Sequence, residues 1–224
     1  MTGRRLIPVL LAALAPSTPA AAQTFAIPGN TVLNVPVESL AGLRFRNVVR
    51  QGFDVSCGAA AMATLFTYFY GDPRTERELI DDMVAAGDVE EIQKRGFSML
   101  EMKKAAEARG YVADGFQLND VRDLLQLKVP VITLINTRGY AHFVVVKGVE
   151  NGRVLIADPA FGNLSRPLDQ FESEWKNIIL AVVDQQRQGD ESFRTSQVVK
   201  APSEEIMMLL GRNLATIRPL AGEF

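Results

Sequence analysis

The sequence predicts an α+β fold in which a helical N-terminal part packs against an antiparallel sheet. The first half carries apolar residues at helical spacing, and the second half carries runs of Val, Ile and Leu that are typical of buried strands. Helices followed by strands differ from the alternating order of a doubly wound nucleotide-binding fold. Because 224 residues can bury one full core, we expect a single domain with extensions rather than two equal domains.

Residues 1–22 have the pattern of an export signal. Arg4 and Arg5 give a positive start, an apolar run follows, and small residues end at Ala22. The apolar run is too short to span a bilayer, which needs about 20 residues; a retained membrane anchor is the alternative interpretation. We therefore expect cleavage near Ala22 and a periplasmic or secreted protein, with membrane contact only through the signal peptide before its removal.

The composition divides the chain into four segments. Pro and Gly between residues 23 and 45 predict an irregular, extended arm with little helix. The polar stretch after Asp184 predicts a loop or linker before a last helix from Ser203 to about Ile217. We expect a signal peptide at 1–22, an N-terminal arm at 23–44, the folded domain at 45–183, and a linker with a C-terminal helix at 184–224.

Three helices are predicted in the first half of the domain. The segment from Cys57 to Tyr70 is rich in Ala, Met, Leu and aromatic residues, which indicates a largely buried helix. Two amphipathic helices are predicted at 75–86 and 98–109. The second begins with Ser98 and with Glu101 three residues later, which is a capping-box pattern.

Four strands are predicted in the second half. A tight hairpin turn is expected at Glu150, Asn151 and Gly152, between the second and third of them. The strands are Pro130–Ile135, Ala141–Val149, Arg153–Ala157 and Ile178–Val183.

The charge and the rare residues exclude several function classes. Lys and Arg number 24 against 26 Asp and Glu, a net charge of −2, so nucleic acid is not an expected partner. One Cys and one His offer too few soft ligands for a metal cluster, and we expect neither a metal nor another cofactor. Exported proteins normally pair their thiols, so the lone Cys57 indicates a reactive role; a buried, inert Cys is the alternative.

Cys57 lies where a polar loop meets the first turn of a predicted helix. The backbone N–H groups there favour a thiolate, Ser56 is a candidate N-cap, and the small residues that follow leave room beside the sulfur. Six residues upstream, the side-chain amide of Gln51 can donate to a developing oxyanion together with the Cys57 N–H. The spacing is that expected of a cysteine nucleophile with its oxyanion donor.

The single histidine, His142, begins an apolar run that predicts a strand, which would hold the imidazole rigidly. Asp158 follows the next strand. With the turn centred near residues 150 and 151, position 142 falls opposite about 159, within one residue of Asp158. A carboxylate there can fix the imidazole tautomer. The alternatives are a structural histidine bonded to a backbone carbonyl and an Asp-Pro pair that only forms a turn.

Three blocks of the chain together resemble the bacteriocin-processing, double-glycine cysteine peptidases of bacteria, family 39 of the papain-like clan. The similarity covers about residues 45–183, and the blocks are Gln51–Ala60, His142–Gly148 and Val154–Gly162. The resemblance implies a papain-like cysteine peptidase fold and cleavage of leader peptides after a Gly-Gly pair. It also implies Cys57 as nucleophile, His142 as base, Asp158 as the acid that orients it and Gln51 as oxyanion donor.

Two departures qualify the resemblance. Ser56 stands where the family commonly has Asp, and no transporter membrane domain or ATP-binding motif follows the peptidase-like part. The chain is therefore similar to stand-alone, exported members that accompany bacterial amyloid or adhesin secretion systems. The expected partner is an exported polypeptide substrate. A binding or escort module that does not cut its partner, and acyl transfer by the same residues, are the alternatives.

Overall fold

The computed structural model describes residues 23–27, 31–35 and 39–195. The predicted signal peptide at 1–22 and the predicted helix from Ser203 lie outside these residues. Contacts divide the chain into two units, with the boundary after Leu40. Among the described residues, none of the helices combines the length and the apolar character that a bilayer crossing requires.

The first unit contains a two-stranded antiparallel hairpin. Strand β1 (Gln23–Ile27) pairs with β2 (Thr31–Val35), and Gln23 lies opposite Val35. The prediction of an irregular arm is wrong for these strands. Val and Thr favour extended pairing, and that preference outweighs the breaking effect of the nearby Pro and Gly residues.

Helices of the described residues cluster before the main sheet. The three predicted helices are confirmed, and those at Glu76–Ala86 and Met99–Ala108 each begin at a capping box. The short helices at Leu40–Arg44, Val89–Arg95 and Leu168–Glu174 are not predicted by the sequence. A π-helical turn, Leu65–Phe69, extends α2, and 3₁₀ turns form at Val121–Gln126 and Glu191–Arg194. The helices are α1 (Leu40–Arg44), α2 (Cys57–Thr64), α3 (Glu76–Ala86), α4 (Val89–Arg95), α5 (Met99–Ala108) and α6 (Leu168–Glu174).

The second unit contains a six-stranded antiparallel sheet with strand order β3-β8-β4-β5-β6-β7. The four predicted strands correspond to the four inner strands. The edge strands β3 and β7 carry Gly and polar residues, which is why their pattern does not predict them. The strands are β3 (Val112–Gln117), β4 (Val131–Thr137), β5 (Tyr140–Glu150), β6 (Arg153–Asp158), β7 (Gly162–Pro167) and β8 (Trp175–Val183).

Both faces of the sheet are covered, which confirms the α+β class. On one face, α2, α3 and α5 contribute Met62, Leu79 and Met102 to a cluster that includes Val145 of β5. On the other face, α6 contributes Phe171 to a second cluster. Strands buried on both sides favour continuous apolar runs over alternation, as the sequence has.

The hairpin of β5 and β6 has the predicted turn but a shifted register. Asn151 and Gly152 both have positive φ, at 50° and 71°, as two-residue hairpin turns prefer. A bulge between Val146 and Gly148 moves the pairing by one residue, so that Val145 lies opposite Ala157. The turn lies one residue later than expected, because Glu150 pairs with Arg153, and the bulge removes half of the two-residue shift in register that results. Continued along the strands, this register places position 142 opposite about 160, one residue beyond the expected 159.

The bulge places a lysine in the interior. Lys147 is 1% exposed; its Nζ lies 3.4 Å from Asn163 Oδ1 and 4.8 Å from the ring centroid of Phe193. Phe193 is itself buried, so the polar segment after Asp184, predicted to be a linker, packs into the core through this residue. Burial lowers the pKa of Lys147 to about 8.

The buried lysine is expected to make stability depend on pH. The unfolded chain keeps the Lys147 proton up to about pH 10.5, whereas the folded chain loses it above about pH 8. Between these values the unfolded state binds more protons, so the free energy of unfolding should rise with pH, by about 2–3 kcal/mol from pH 8 to 10. Denaturant titrations at several pH values measure this rise.

A matched pair of substitutions isolates the effect. Lys147→Met should remove the rise, because the buried side chain no longer titrates. Lys128→Met, at an exposed lysine, should keep it. If the free energy of unfolding of Lys147→Met rises with pH as steeply as that of the wild-type chain, the prediction is contradicted.

Candidate active site

Cys57 begins α2 and is partly exposed. Its Sγ accepts a hydrogen bond from the backbone N–H of Phe143, at 3.4 Å, although the two residues are 86 positions apart. Phe143 directly follows His142 in β5. The start of α2 and the strand that carries the histidine therefore meet at the sulfur.

Burial and backbone donors act in opposite directions on the Cys57 thiol. Burial is the larger effect and raises its pKa, while the N–H groups of Phe143, Gly58 and Cys57 lower it. The sequence led us to expect that the amides at the helix start favour the thiolate. They do so, but burial outweighs them. The resting sulfur therefore keeps its proton at neutral pH unless a base removes it.

His142 is 1% exposed and is held by Asp158 through one ring nitrogen. Nε2 lies 2.8 Å from Asp158 Oδ2, and Nδ1 lies 3.4 Å from the Tyr140 carbonyl oxygen. Because the carboxylate occupies Nε2, Nδ1 is the nitrogen left to exchange a proton with another group.

Asp158 ends β6 and is fixed by its own turn. Its Oδ1 accepts from the backbone N–H groups of Ala160 and Phe161, at 2.8 and 3.0 Å, and Oδ2 faces the histidine. The carboxylate thus forms a turn and holds the imidazole at the same time. The two interpretations of the Asp-Pro pair left open by the sequence are compatible.

Two aromatic rings cover the imidazole. Tyr140 stacks on His142 with ring centroids 4.8 Å apart, and Phe161 approaches edge-on at 6.0 Å. The sequence analysis missed both residues. The period of a strand could have found Tyr140, because residues two apart in β5 share a face. Phe161 follows Asp158 in the turn, and no local pattern identifies it.

Gln51 lies on the loop before α2, but its amide faces its own loop. Nε2 donates to the Phe53 carbonyl at 2.8 Å, and the backbone N–H of Gln51 donates to Pro159 O at 2.9 Å. Oε1 is buried and finds no hydrogen-bond partner in the part of the chain that the structure describes. The Phe53 contact leaves the second hydrogen of Gln51 Nε2 unused. The hydrogen bond from the Gln51 backbone to Pro159 joins this loop to the turn after Asp158.

Ser56 does not cap α2, contrary to the sequence-based expectation. Its φ of −96° and ψ of 12° differ from the extended conformation of an N-cap. The buried hydroxyl instead lies 2.5 Å from Glu76 Oε1 and 2.7 Å from the Phe53 carbonyl oxygen, two acceptors that share its single proton. Val55, just before it, has a φ of 57°, which is costly for a β-branched residue. The loop before Cys57 thus has a strained backbone at Val55, and it contacts Glu76 of α3 instead of being capped onto α2.

A cavity of about 620 Å³ opens beside the sulfur and the imidazole. Cys57 and His142 both line it, whereas Gln51 and Asp158 are not among its described lining residues. Its wall is largely apolar. The apolar side chains are contributed by Val55, Phe97, Met99, Leu100, Leu134, Phe143 and Ile178.

Comparison with known proteins identifies the family and the fold of the chain. The Peptidase C39 family profile matches residues 46–187. The chain is 40% identical over 183 residues to the probable functional amyloid protease FapD of Pseudomonas aeruginosa. The aligned region covers 81% of this chain and 80% of that protein. The peptidase domain of Streptococcus ComA, a bi-functional ABC transporter, has the same fold, with a TM-score of 0.53, 23% identity and coverage of 62% of this chain and 98% of that domain.

A second solved structure is similar to the same part of the chain. It is a double glycine motif protease from an AMS/PCAT transporter in complex with the leader peptide. The TM-score is 0.51 at 26% identity, with 63% of this chain and 90% of that chain covered. Fold and comparisons together define a cysteine peptidase of papain-like fold.

The chain belongs to the Peptidase C39 family. The family resemblance inferred from the three sequence blocks is thereby confirmed. The roles of the individual residues remain predictions that rest on the geometry described above.

Proposed function

We propose that the chain is an exported cysteine endopeptidase that cuts an exported polypeptide after a small residue such as the second Gly of a Gly-Gly pair. The observation that carries the proposal is the 2.8 Å contact between His142 and Asp158 beside a cavity that also contains Cys57. The buried, raised-pKa thiol needs a base, and His142 is the candidate that lines the same cavity.

The first half of the reaction forms a thioester. His142 Nδ1 takes the Cys57 proton, and the thiolate attacks the carbonyl carbon of the peptide bond. The Cys57 N–H and the second hydrogen of Gln51 Nε2 donate to the oxyanion. His142 then returns the proton to the leaving amine as the C–N bond breaks, and the N-terminal part of the substrate stays on the sulfur.

The second half releases the acyl group. Water replaces the departed amine, and His142 takes one of its protons while the oxygen attacks the thioester carbonyl. The C–S bond breaks, the sulfur recovers a proton, and the product leaves with a free carboxylate. Asp158 stabilises the imidazolium that forms in each half. An amine in place of water would give acyl transfer instead.

Three observations support the proposed substrate class. Residues 1–22 have the pattern of an export signal, so enzyme and substrate would meet outside the cytoplasm. The relative in Pseudomonas aeruginosa carries the name of a functional amyloid protease, and one structural neighbour is a double glycine motif protease bound to a leader peptide. An exported, amyloid-system polypeptide with a Gly-Gly site therefore fits best, and apolar side chains before the cut would fit the cavity wall.

A peptide series tests the specificity. Peptides that differ only at the two residues before the cut, Gly-Gly, Gly-Ala or Gly-Leu, are incubated with the mature chain, and mass spectrometry locates the new termini. We expect cleavage after Gly-Gly and a loss of about 100-fold in kcat/KM for Gly-Leu, since the proposed specificity requires small residues directly before the cut.

Iodoacetamide provides the control. The alkylated chain should cleave none of the peptides. Cleavage that survives complete alkylation of Cys57 would contradict the thioester route. Peptide binding without cleavage by the untreated chain would favour an escort role over a peptidase.

A further inference from the structure

A buried carboxylate outside the predicted site contacts the loop that joins Gln51 to Cys57. Glu76 is the first residue of α3 and is 8% exposed. Both of its carboxylate oxygens accept the Gly52 N–H, at 3.1 and 3.0 Å, and the Ser56 hydroxyl lies 2.5 Å from Oε1. Hydrogen bonds to an ionised acceptor are stronger than those between neutral groups.

The contacts flank the strained part of the loop. Gly52 precedes Val55, and Ser56 follows it, so Glu76 holds the chain on both sides of the residue with positive φ. Such a conformation persists only where the surroundings fix it. The Glu76 carboxylate also lies close to the Gly52 backbone: a Cβ on Gly52 would lie 3.1 Å from Glu76 Oε2.

We propose that Glu76 is a positioning residue for oxyanion stabilisation, an inference that rests on the proposed peptidase function. By fixing Gly52 and Ser56, it sets the place of the Gln51 amide and of the Cys57 N–H relative to the sulfur. It contacts no reacting atom itself. Loss of its carboxylate contacts releases the loop, and the two oxyanion donors no longer converge.

Comparing two reactions of the same sulfur separates this role from a general structural one. Glu76→Gln keeps the size of the side chain but replaces one acceptor oxygen by a donor. We expect kcat for peptide cleavage to fall about 10- to 100-fold, because a displaced oxyanion donor loses much of its effect. Alkylation of Cys57 by iodoacetamide forms no oxyanion, so its rate should stay within about twofold of the wild-type rate.

Glu78→Gln is the matched control. Glu78 lies in the same first turn of α3 and completes its capping box with Thr75, but it has no contact with the loop. Its substitution should leave kcat within about twofold of the wild-type value. An equal loss of kcat in both variants would mean that the stability of α3 matters and not the contact with the loop, and would overturn the proposal.

A double-substitution cycle tests the route through Gln51. In a Gln51→Ala background one of the two donors is already gone, so Glu76→Gln should lower kcat by a clearly smaller factor than in the wild-type chain. A full loss in that background would mean that Glu76 acts independently of Gln51. If Glu76→Gln does not fold, Ser56→Ala removes one of its partners and should lower kcat about tenfold with unchanged alkylation.

The Gly52 amide gives a readout that does not depend on catalysis. In an NMR spectrum of the ¹⁵N-labelled mature chain, Glu76→Gln should shift the Gly52 N–H upfield and speed its exchange with solvent, whereas Glu78→Gln should not. An unchanged Gly52 signal would overturn the proposal. If the wild-type chain cleaves no peptide, the proposed function fails, while this measurement still decides whether Glu76 holds the loop.

Discussion

Replacing Cys57 with alanine is expected to abolish cleavage of the Gly-Gly peptide, and His142→Ala to lower kcat by at least about 10⁴-fold. In the proposed mechanism the sulfur forms the covalent intermediate, so no other group can substitute for it. The imidazole is the proposed base for this thiol, whose pKa is raised by burial. Chromatography of the peptide products over long incubations measures both losses.

Val146→Ala provides the control for the histidine variant. Val146 is buried on the same strand, four residues after His142, and pairs with Ile156 of β6 and Val131 of β4, neither of which is a predicted site residue. It should lose stability through the cavity left behind but keep kcat within about threefold. Alkylation adds a second check, because His142→Ala should slow the reaction of Cys57 with iodoacetamide. Wild-type turnover by Cys57→Ala would refute the assignment.

The histidine and its acid could be predicted because one hairpin carries both. Asn151 and Gly152 identify the turn, and the lengths of the two strands then bring His142 close to Asp158. The bulge at Lys147 is not encoded by a local pattern, since the lysine contacts Asn163 and Phe193, neither of which is a sequence neighbour. The turn lies one residue later than expected and the bulge recovers half of the resulting shift, which leaves an error of one residue in the register. The site tolerates this error because diagonal neighbours in a sheet are still within reach.

The surroundings of the nucleophile could be predicted only in part. The start of α2 at Cys57 follows from the Ala-rich run after it. The partner of Ser56 does not, since Glu76 is twenty residues away and belongs to another helix. The orientation of the Gln51 amide depends on the Phe53 carbonyl and on the bond to Pro159, which no local pattern encodes. Polar contacts between residues far apart in the chain are therefore the part of the site that local sequence patterns do not predict.

Asp158→Asn is expected to lower kcat about 10²- to 10⁴-fold with little change in KM. The N–H groups of Ala160 and Phe161 hold one oxygen of the side chain, so an asparagine must keep its carbonyl there and turn its NH₂ towards His142. That group donates to Nε2 and forces the ring proton onto Nδ1, the nitrogen that must accept the thiol proton. The neutral base is then lost, although size and packing are preserved.

Asp184→Asn is a closely matched control, because Asp184 makes the same turn. Its Oδ1 accepts from the N–H groups of Gln186 and Arg187, at 2.8 and 3.0 Å, and it lies on no described wall of the cavity. Its substitution should leave kcat within about twofold. Asp158 does not line the described wall of the cavity that holds Cys57 and His142, so a change confined to KM would contradict its orienting role. A kcat within threefold of wild type for Asp158→Asn would mean that the amide turns over and presents its oxygen to the ring, at the cost of both turn hydrogen bonds.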